Sequence, residues 1–385
     1  MRRSTRQGVV RDDDGLLFLR VLGELVAVRF AGPAAREQVR QTWSRCVVPP
    51  PVDAAGTVPT IRSTESDLPL TRALAHRLTH DLTDLGIDLL AGRAVLLHAA
   101  GLSRPGGEVV ALVASSGTGK TTAAAALAAA GFGYVTDETV AVLEDGTVPP
   151  FPKPLSVRVP KDGPLPRENP EDPDEKVHVG PDALGLQRCS DELRLTGVLL
   201  LDRDPALVGR PWLERLDPLK AATALVGHTS ALTRLPRPLH RLAALATCGA
   251  GVHRAHYAEA RDLEPLLHAL LDAPSASPPP ALDLWSCDAA RMPSGGLGSH
   301  REGGLVRAQV ADGIRTRDGA VLLVGTDPVT LSPLGLTLWD AARAPTDLAA
   351  LVAAAVAEHG PHPSARELVA AAVETLLDAG VLVRA

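Results

Sequence analysis

Val109 to Glu138 reads VVALVASSGTGKTTAAAALAAAGFGYVTDE, and the order of residue types in it decides how the chain folds. Val109 to Val113 has the apolar character of a buried strand, Ala114 to Gly119 is a loop of small residues, and Lys120-Thr121-Thr122 opens a helix of almost pure alanine. A strand, a glycine-bearing turn and a helix in that order aim backbone N–H groups at one point in space, which is the layout of a phosphate-binding loop. Gly117 and Gly119 admit backbone geometry that lets successive amides converge on phosphate oxygens. Ser115, Ser116, Gly117, Thr118, Gly119, Lys120, Thr121 and Thr122 are therefore the candidate nucleotide ligands. Lys120 is placed to reach β- and γ-phosphates, and the Thr121 hydroxyl to sit on Mg²⁺. Ala114 stands where the pattern G-x-x-x-x-G-K-[ST] begins with glycine, a place alanine can fill at negative φ. The competing interpretation is a plain turn before an alanine-rich helix; the flanking strand and helix favour the phosphate loop.

The next strand, Tyr134 to Thr136, ends in Asp137-Glu138. Only one helix separates these carboxylates from Lys120, so both fall beside the loop. One carboxylate near a γ-phosphate can hold Mg²⁺, with Asp137 the metal candidate beside Thr121, and a second can take the proton of an incoming hydroxyl. A helix-capping or surface acidic pair is the alternative. His98, on the strand Val95 to Ala100 that precedes the phosphate strand, is a third catalytic candidate at the same crevice, or a structural histidine at a strand end. Lys153 and Arg158 offer positive charge to a transferred phosphate, or are surface residues. His76 and His80 share a helix face at i, i+4, but with neither an H-E-x-x-H pattern nor an evident third ligand they read as a solvated face.

Working outward, 385 residues suffice for two or three domains. The net charge of -6 argues against nucleic acid and anionic membranes as partners, and 3% aromatic residues leave little to stack on bases. Cys46, Cys189, Cys248 and Cys287 are scattered without a C-x-x-C pair, as expected of reduced thiols in a cytoplasmic protein. The start of the chain, MRRSTRQGVVRDDDG, lacks the apolar run of a secretory signal. Residues 1–69 read as an α+β appendage, with a hairpin around Gly23 and a helix from Ala34 to Cys46. Residues 70–273 read as the phosphate-loop domain, with a hairpin about Glu144-Asp145-Gly146 and a polar, proline-rich loop, Lys161 to Lys176, suited to an active-site lid. Residues 274–304, rich in Pro, Ser and Gly, read as a linker. Residues 305–385 read as a separate small domain: strands at Val306 to Val310, Ala320 to Val324 and Val329 to Leu331, then three helices and a last strand.

LLHAAGLSRPGGEVVALVASSGTGKTTAAAALAAAGFGYVTDETVAV resembles the nucleotide-binding core of the HPr kinase/phosphorylase-like family. By position, His98 matches the family's strand histidine, Lys120-Thr121 its phosphate and magnesium residues, and Asp137-Glu138 its acidic pair, one member of which is the base that activates a serine hydroxyl. Glu138 stands where bacterial HPr kinases carry a second Asp. The downstream arginine-glycine signature of the bifunctional enzymes is not visible here, which argues against phosphorolysis and against HPr itself as substrate.

The C-terminal stretch AVLLVGTDPVTLSPLGLTLWDAARAPTDLAALVAAAVAEHG, with RELVAAAVETLLDAGVLVRA, is similar to PqqD-like peptide-recognition domains. The resemblance implies capture of a leader peptide as an added strand between the third strand, here Val329-Thr330-Leu331, and the third helix, whose face includes Leu368, Ala372 and Leu376. A winged-helix DNA binder is the rival, but the last helix has only Arg366 against Glu367, Glu374 and Asp378. The fold class these expectations define is an α/β P-loop core with a small N-terminal α+β appendage and a C-terminal winged-helix-like, PqqD-type domain. The function they imply is ATP- and Mg²⁺-dependent phosphorylation of a Ser/Thr hydroxyl in a ribosomally made precursor peptide, as in the kinases of lasso-type peptides that the first half resembles. The alternative is a non-catalytic recognition subunit, built on a degenerate phosphate loop, that hands the peptide to a partner modifying enzyme.

Overall fold

Leu16–Val21 (β1) and Glu24–Arg29 (β2) form the antiparallel hairpin that two apolar runs around Gly23 predict. Its turn, Leu22-Gly23, takes φ of 51° and 87°, the pair of positive values that matches the twist of the strands it joins. Pro33–Thr42 (α1) opens on its proline, and Val47–Val48 (β3) and Thr60–Arg62 (β4) flank the hairpin in the order β3-β1-β2-β4. The computed structural model describes residues 15–51, 58–63, 68–115, 118–158, 175–272, 285–286, 304–316 and 319–385. Ser116 and Gly117, nearly all of the expected lid and most of the expected linker lie outside the described residues.

Arg72–Leu90 (α2) follows, its first turn capped by the Thr71 hydroxyl, which accepts from Leu74 N at 3.3 Å. Then come Val95–Ser103 (β5), Glu108–Val113 (β6), Lys120–Ala129 (α3), Gly133–Thr136 (β7), Thr139–Val142 (β8), Leu155–Arg158 (β9), Lys176–Val179 (β10) and Arg194–Arg203 (β11). β6 runs between β5, to which it is antiparallel, and β11, to which it is parallel. Val109 to Val113 are all 0% exposed, which is why that stretch is a continuous apolar run with no alternation. The other edge of β5 takes β7 and then β8, with Gly101 opposite Thr136 and His98 opposite Thr139.

The expected hairpin at Glu144-Asp145-Gly146 forms only in part. Leu143 N donates to Thr147 O at 2.9 Å and Gly146 takes φ of 85°, so the turn is present. No strand follows it, because Pro149, Pro150, Pro152 and Pro154 cannot donate to a ladder. That run instead lies along β7, with Phe151 N donating to Val135 O at 3.1 Å, and so carries Lys153 towards the end of β7.

Gly133 sets where β7 sits. A Cβ there would lie 2.7 Å from Cys189 Cα and 2.9 Å from Arg188 O, both backbone atoms. Gly133→Ala should therefore cost about 1–3 kcal/mol through overpacking. Urea unfolding would read this as a lowered midpoint with unchanged slope.

The rest of the chain forms Trp212–Arg215 (β12), Pro218–Val226 (α4), Thr229–Ser230 (β13), Pro238–Leu245 (α5), Gly251–Tyr257 (β14) and Leu263–Asp272 (α6). Beyond these lie Trp285–Ser286 (β15), Leu305–Arg307 (β16), Asp312–Thr316 (β17), Gly319–Val324 (β18), Asp327–Leu331 (β19), Pro333–Ala341 (α7), Leu348–His359 (α8), Ala365–Asp378 (α9) and Leu382–Arg384 (β20). The whole is a mixed α/β protein in two compact units: Met1–Leu213 with Arg254–Asp272, and Glu214–His253 with Ala273–Ala385. The boundary falls within β12 and β14. Thus α4 and α5, placed by sequence in the 70–273 domain, belong with the C-terminal unit.

The reason lies in β18. Ala320 and Leu322 join Leu331 and the helices α7 to α9 in one core. Val321 and Leu323 point to the opposite face, yet both are 0% exposed, because α4 and α5 pack on that side of the sheet. Asp312 fixes the contact, its Oδ2 accepting from Leu239 N in the first turn of α5 at 2.8 Å.

Two further sequence expectations are corrected in this unit. Val306 to Val310 shortens to β16, which pairs with β20 and not with the main sheet, whose order is β15-β17-β18-β19. β17 went unread because DGIRT carries a single large apolar residue. The expected linker contains β15, paired to β17. No helix among the described residues is long and apolar enough to cross a membrane.

Candidate functional site

The described residues among the phosphate-loop candidates lie where β6 hands over to α3. Gly119, the N-cap of α3, takes φ of 98°, a left-handed conformation that favours glycine. Thr118 Oγ1 donates to Ser115 O at 2.6 Å. The first N–H groups of a helix have no partner within it, so those of α3 face out from its start. Lys120 folds back across the loop and donates to Ala114 O at 2.6 Å and Ser115 O at 3.3 Å. Burial lowers its proton affinity, against the pull of Asp137 and Glu138. Ser115 and Thr122 are exposed, Thr121 is half-buried.

Asp137 and Glu138 occupy the bend between β7 and β8 and not a strand. The pairing of β5 brings His98 to them: Ala99 N donates to Glu138 O at 3.0 Å, and Ala99 lies opposite Val113 at the mouth of the loop. Thr121 Oγ1 donates to Asp137 Oδ2 at 3.4 Å, which brings the loop and the acid pair together. The hydroxyl of Tyr134, fully buried, lies 3.3 Å from Asp137 Oδ1 and 3.1 Å from Lys153 O.

Lys153 is not a surface residue. It is 2% exposed, and its Nζ lies 2.9 Å from Asp137 Oδ1 and 2.9 Å from Glu138 Oε2. Burial alone would lower its proton affinity; the two carboxylates outweigh that and raise it. Burial likewise would raise the Glu138 carboxyl, but Lys153, helped by His80 and His98, holds it below the usual glutamate range. Arg158, by contrast, is exposed at the end of β9.

Three more imidazoles reach this corner. His76 and His80 on α2 have ring centroids 4.4 Å apart, and His178 on β10 lies 5.4 Å from His76. Burial, then Lys153, pushes His178 down to about 4, and burial with His80 also lowers His76, so both are neutral at pH 7. Among the described residues no group of three or more His, Cys, Asp or Glu is arranged to hold a metal ion. His178 and Tyr134 are the residues sequence reading missed. His178 sits in KVHV, four residues of β10 with no motif around them; only the β9–β10 pairing brings it to α2.

In the other unit, β19 pairs only with β18 among the described strands. Leu331 and Leu376, 2% and 5% exposed, are core residues, whereas Val329 and Ala372 pack at the rim of that core. Thr330 is exposed, as is Leu368, which stands outside the core cluster at 49% exposed. Of the six expected peptide contacts, two are therefore floor and four are surface or rim. In comparisons with known proteins, no family model matches this sequence, and no curated protein resembles it significantly.

Proposed function

We propose that the chain is an ATP-dependent kinase of a ribosomally made peptide, transferring the γ-phosphoryl group to a Ser or Thr hydroxyl. The observation that carries this reading is the unbroken chain of contacts from the phosphate loop through Thr121 to Asp137, Lys153 and Glu138. A left-handed glycine, an unblocked helix start and a lysine at the loop suit a polyphosphate. Thr121 and Asp137 would share the Mg²⁺, an ion that commonly takes one or two protein ligands and completes its shell with phosphate and water. Bound Mg-ATP supplies the phosphoryl group and the charge neutralisation; Glu138 accepts the proton of the acceptor hydroxyl. The edge of β19 that no described strand pairs is suited to adding a leader segment as a further strand, with Val329 and Ala372 at its side and Leu331 and Leu376 in the core. Such tethering raises the local concentration of a weakly held hydroxyl.

The test is the intact mass of a precursor peptide incubated with Mg-ATP and the protein. A gain of one phosphoryl group, lost when the leader is removed, is the expected result. An unchanged mass with leader binding intact would replace the kinase by a recognition subunit serving another enzyme.

A further inference from the structure

We infer that the cavity between α1, the start of α2 and β10 is a subsite for one uncharged apolar side chain of the peptide, close in sequence to the acceptor hydroxyl. The place of the acceptor rests on the kinase reading above; the cavity is read from its own walls.

The cavity has a volume of about 180 Å³. Sites that hold a drug-sized molecule run to roughly 300–1,000 Å³, whereas an apolar cavity of about 150 Å³ takes benzene. One branched or aromatic side chain matches that size. Val39, Trp43, Leu70, Leu78 and Val177 supply walls of carbon. The polar side chains among them are engaged within the chain. Gln38 grips the Leu70 backbone, Nε2 donating to Leu70 O at 3.2 Å and Oε1 accepting from Leu70 N at 2.7 Å. Thr42 Oγ1 donates to Gln38 O at 2.8 Å, and Thr79 Oγ1 to Ala75 O at 3.0 Å. The Arg72 guanidinium is paired with the Glu175 carboxylate. A charged occupant would leave water for groups already engaged; an apolar one is stabilised by leaving it.

Two elements serve both this cavity and the acid-pair corner. His178 of β10 lines the cavity, and its ring lies 5.4 Å from that of His76, where the charges of Glu138 and Lys153 act on both. Along α2, Ala75 and Thr79 line the cavity. His76 and His80, each one residue further on, are turned by about 100° around the helix axis, towards Glu138. An extended peptide advances about 3.3 Å per residue. A chain that offers its hydroxyl to Glu138 therefore carries a nearby side chain to the cavity.

The experiment replaces the apolar residues of a precursor core peptide one at a time with photo-leucine. Each peptide is irradiated with the full-length protein, and the crosslinks are mapped by mass spectrometry. A position near the acceptor is expected to label cavity residues of α1, α2 or β10. Ala75→Phe, which fills the cavity from α2, should abolish that label. In transfer assays this variant should raise the KM for peptide by about tenfold or more, the scale of losing a side-chain pocket, while the KM for ATP changes little. Replacing the labelling residue of the peptide by Ala should raise the wild-type KM similarly and add nothing in Ala75→Phe. Crosslinks that map only elsewhere, or KM losses that add in full, overturn the inference. Should Ala75→Phe not fold, the wild-type crosslinks decide. A labelled cavity without phosphoryl transfer counts against the kinase reading alone, because crosslinking needs no turnover.

Discussion

Lys120→Ala is expected to remove peptide phosphorylation almost entirely, by at least 10²–10³-fold in kcat on the scale of losing one preorganised charge contact to a reacting group. Lys120 is 8% exposed and bridges both sides of its loop through Ala114 O and Ser115 O. Its ammonium is therefore pinned at the mouth of α3, and Lys153, the other lysine described at the site, is bound to the acid pair. The fold should survive, since the hydrogen bonds Lys120 donates go to two loop carbonyls, Ala114 O and Ser115 O. Phosphoryl transfer and Mg-ATP affinity should thus fall together while the thermal midpoint stays near that of wild type. Retention of nucleotide affinity in this variant would count against the phosphate-loop reading.

Asp137→Ala should lower both activity and stability. The stability loss, on the order of 3 kcal/mol, comes from leaving a buried ammonium with one carboxylate in place of two. Tyr134 loses a partner as well. Asp137→Asn keeps much of the shape but not the charge, so it should cost less stability and as much activity. Urea midpoints and transfer rates measured on both variants would separate the two effects. The pH dependence follows from the same cluster. Glu138 is held below the usual glutamate range, so its contribution to stability is complete above that range and lost as pH falls through its lowered folded value. Lys153 is raised, so its contribution is complete below the ordinary lysine value of 10.5 and lost only in strong alkali.

What could be seen in the sequence was what is local. β6, the loop and α3 are contiguous, and the left-handed φ of 98° at position 119 falls on a glycine, the residue that favours it. The acid pair was legible because one helix and one short strand separate it from the loop. Lys153 was named as a charge but misplaced, because its role depends on a proline run lying along β7, a contact that no periodicity announces. The histidines at 76 and 80 read as a solvated face and both are exposed, though α2 alone gives no hint that His178 of β10 lies beside His76. β17 escaped because its buried residues are Asp312, Gly313 and Ile314, and a buried aspartate that caps another element's helix looks like a turn residue in isolation. The boundary at 272/273 lies where the sequence put it, but residues 214–253 were assigned to the wrong side of it for a related reason: α4 and α5 are helices whose partners are strands far later in the chain.

The excursion of α4 and α5 has a consequence for how this molecule can be taken apart. The chain passes from one unit to the other not only through the segment after α6 but twice more, at 213/214 and at 253/254. A fragment beginning at 305 would therefore carry a sheet with Val321 and Leu323 bare to water, and a fragment ending at 273 would carry two helices without their sheet. Neither half is a module that recombination could trade by a single crossover.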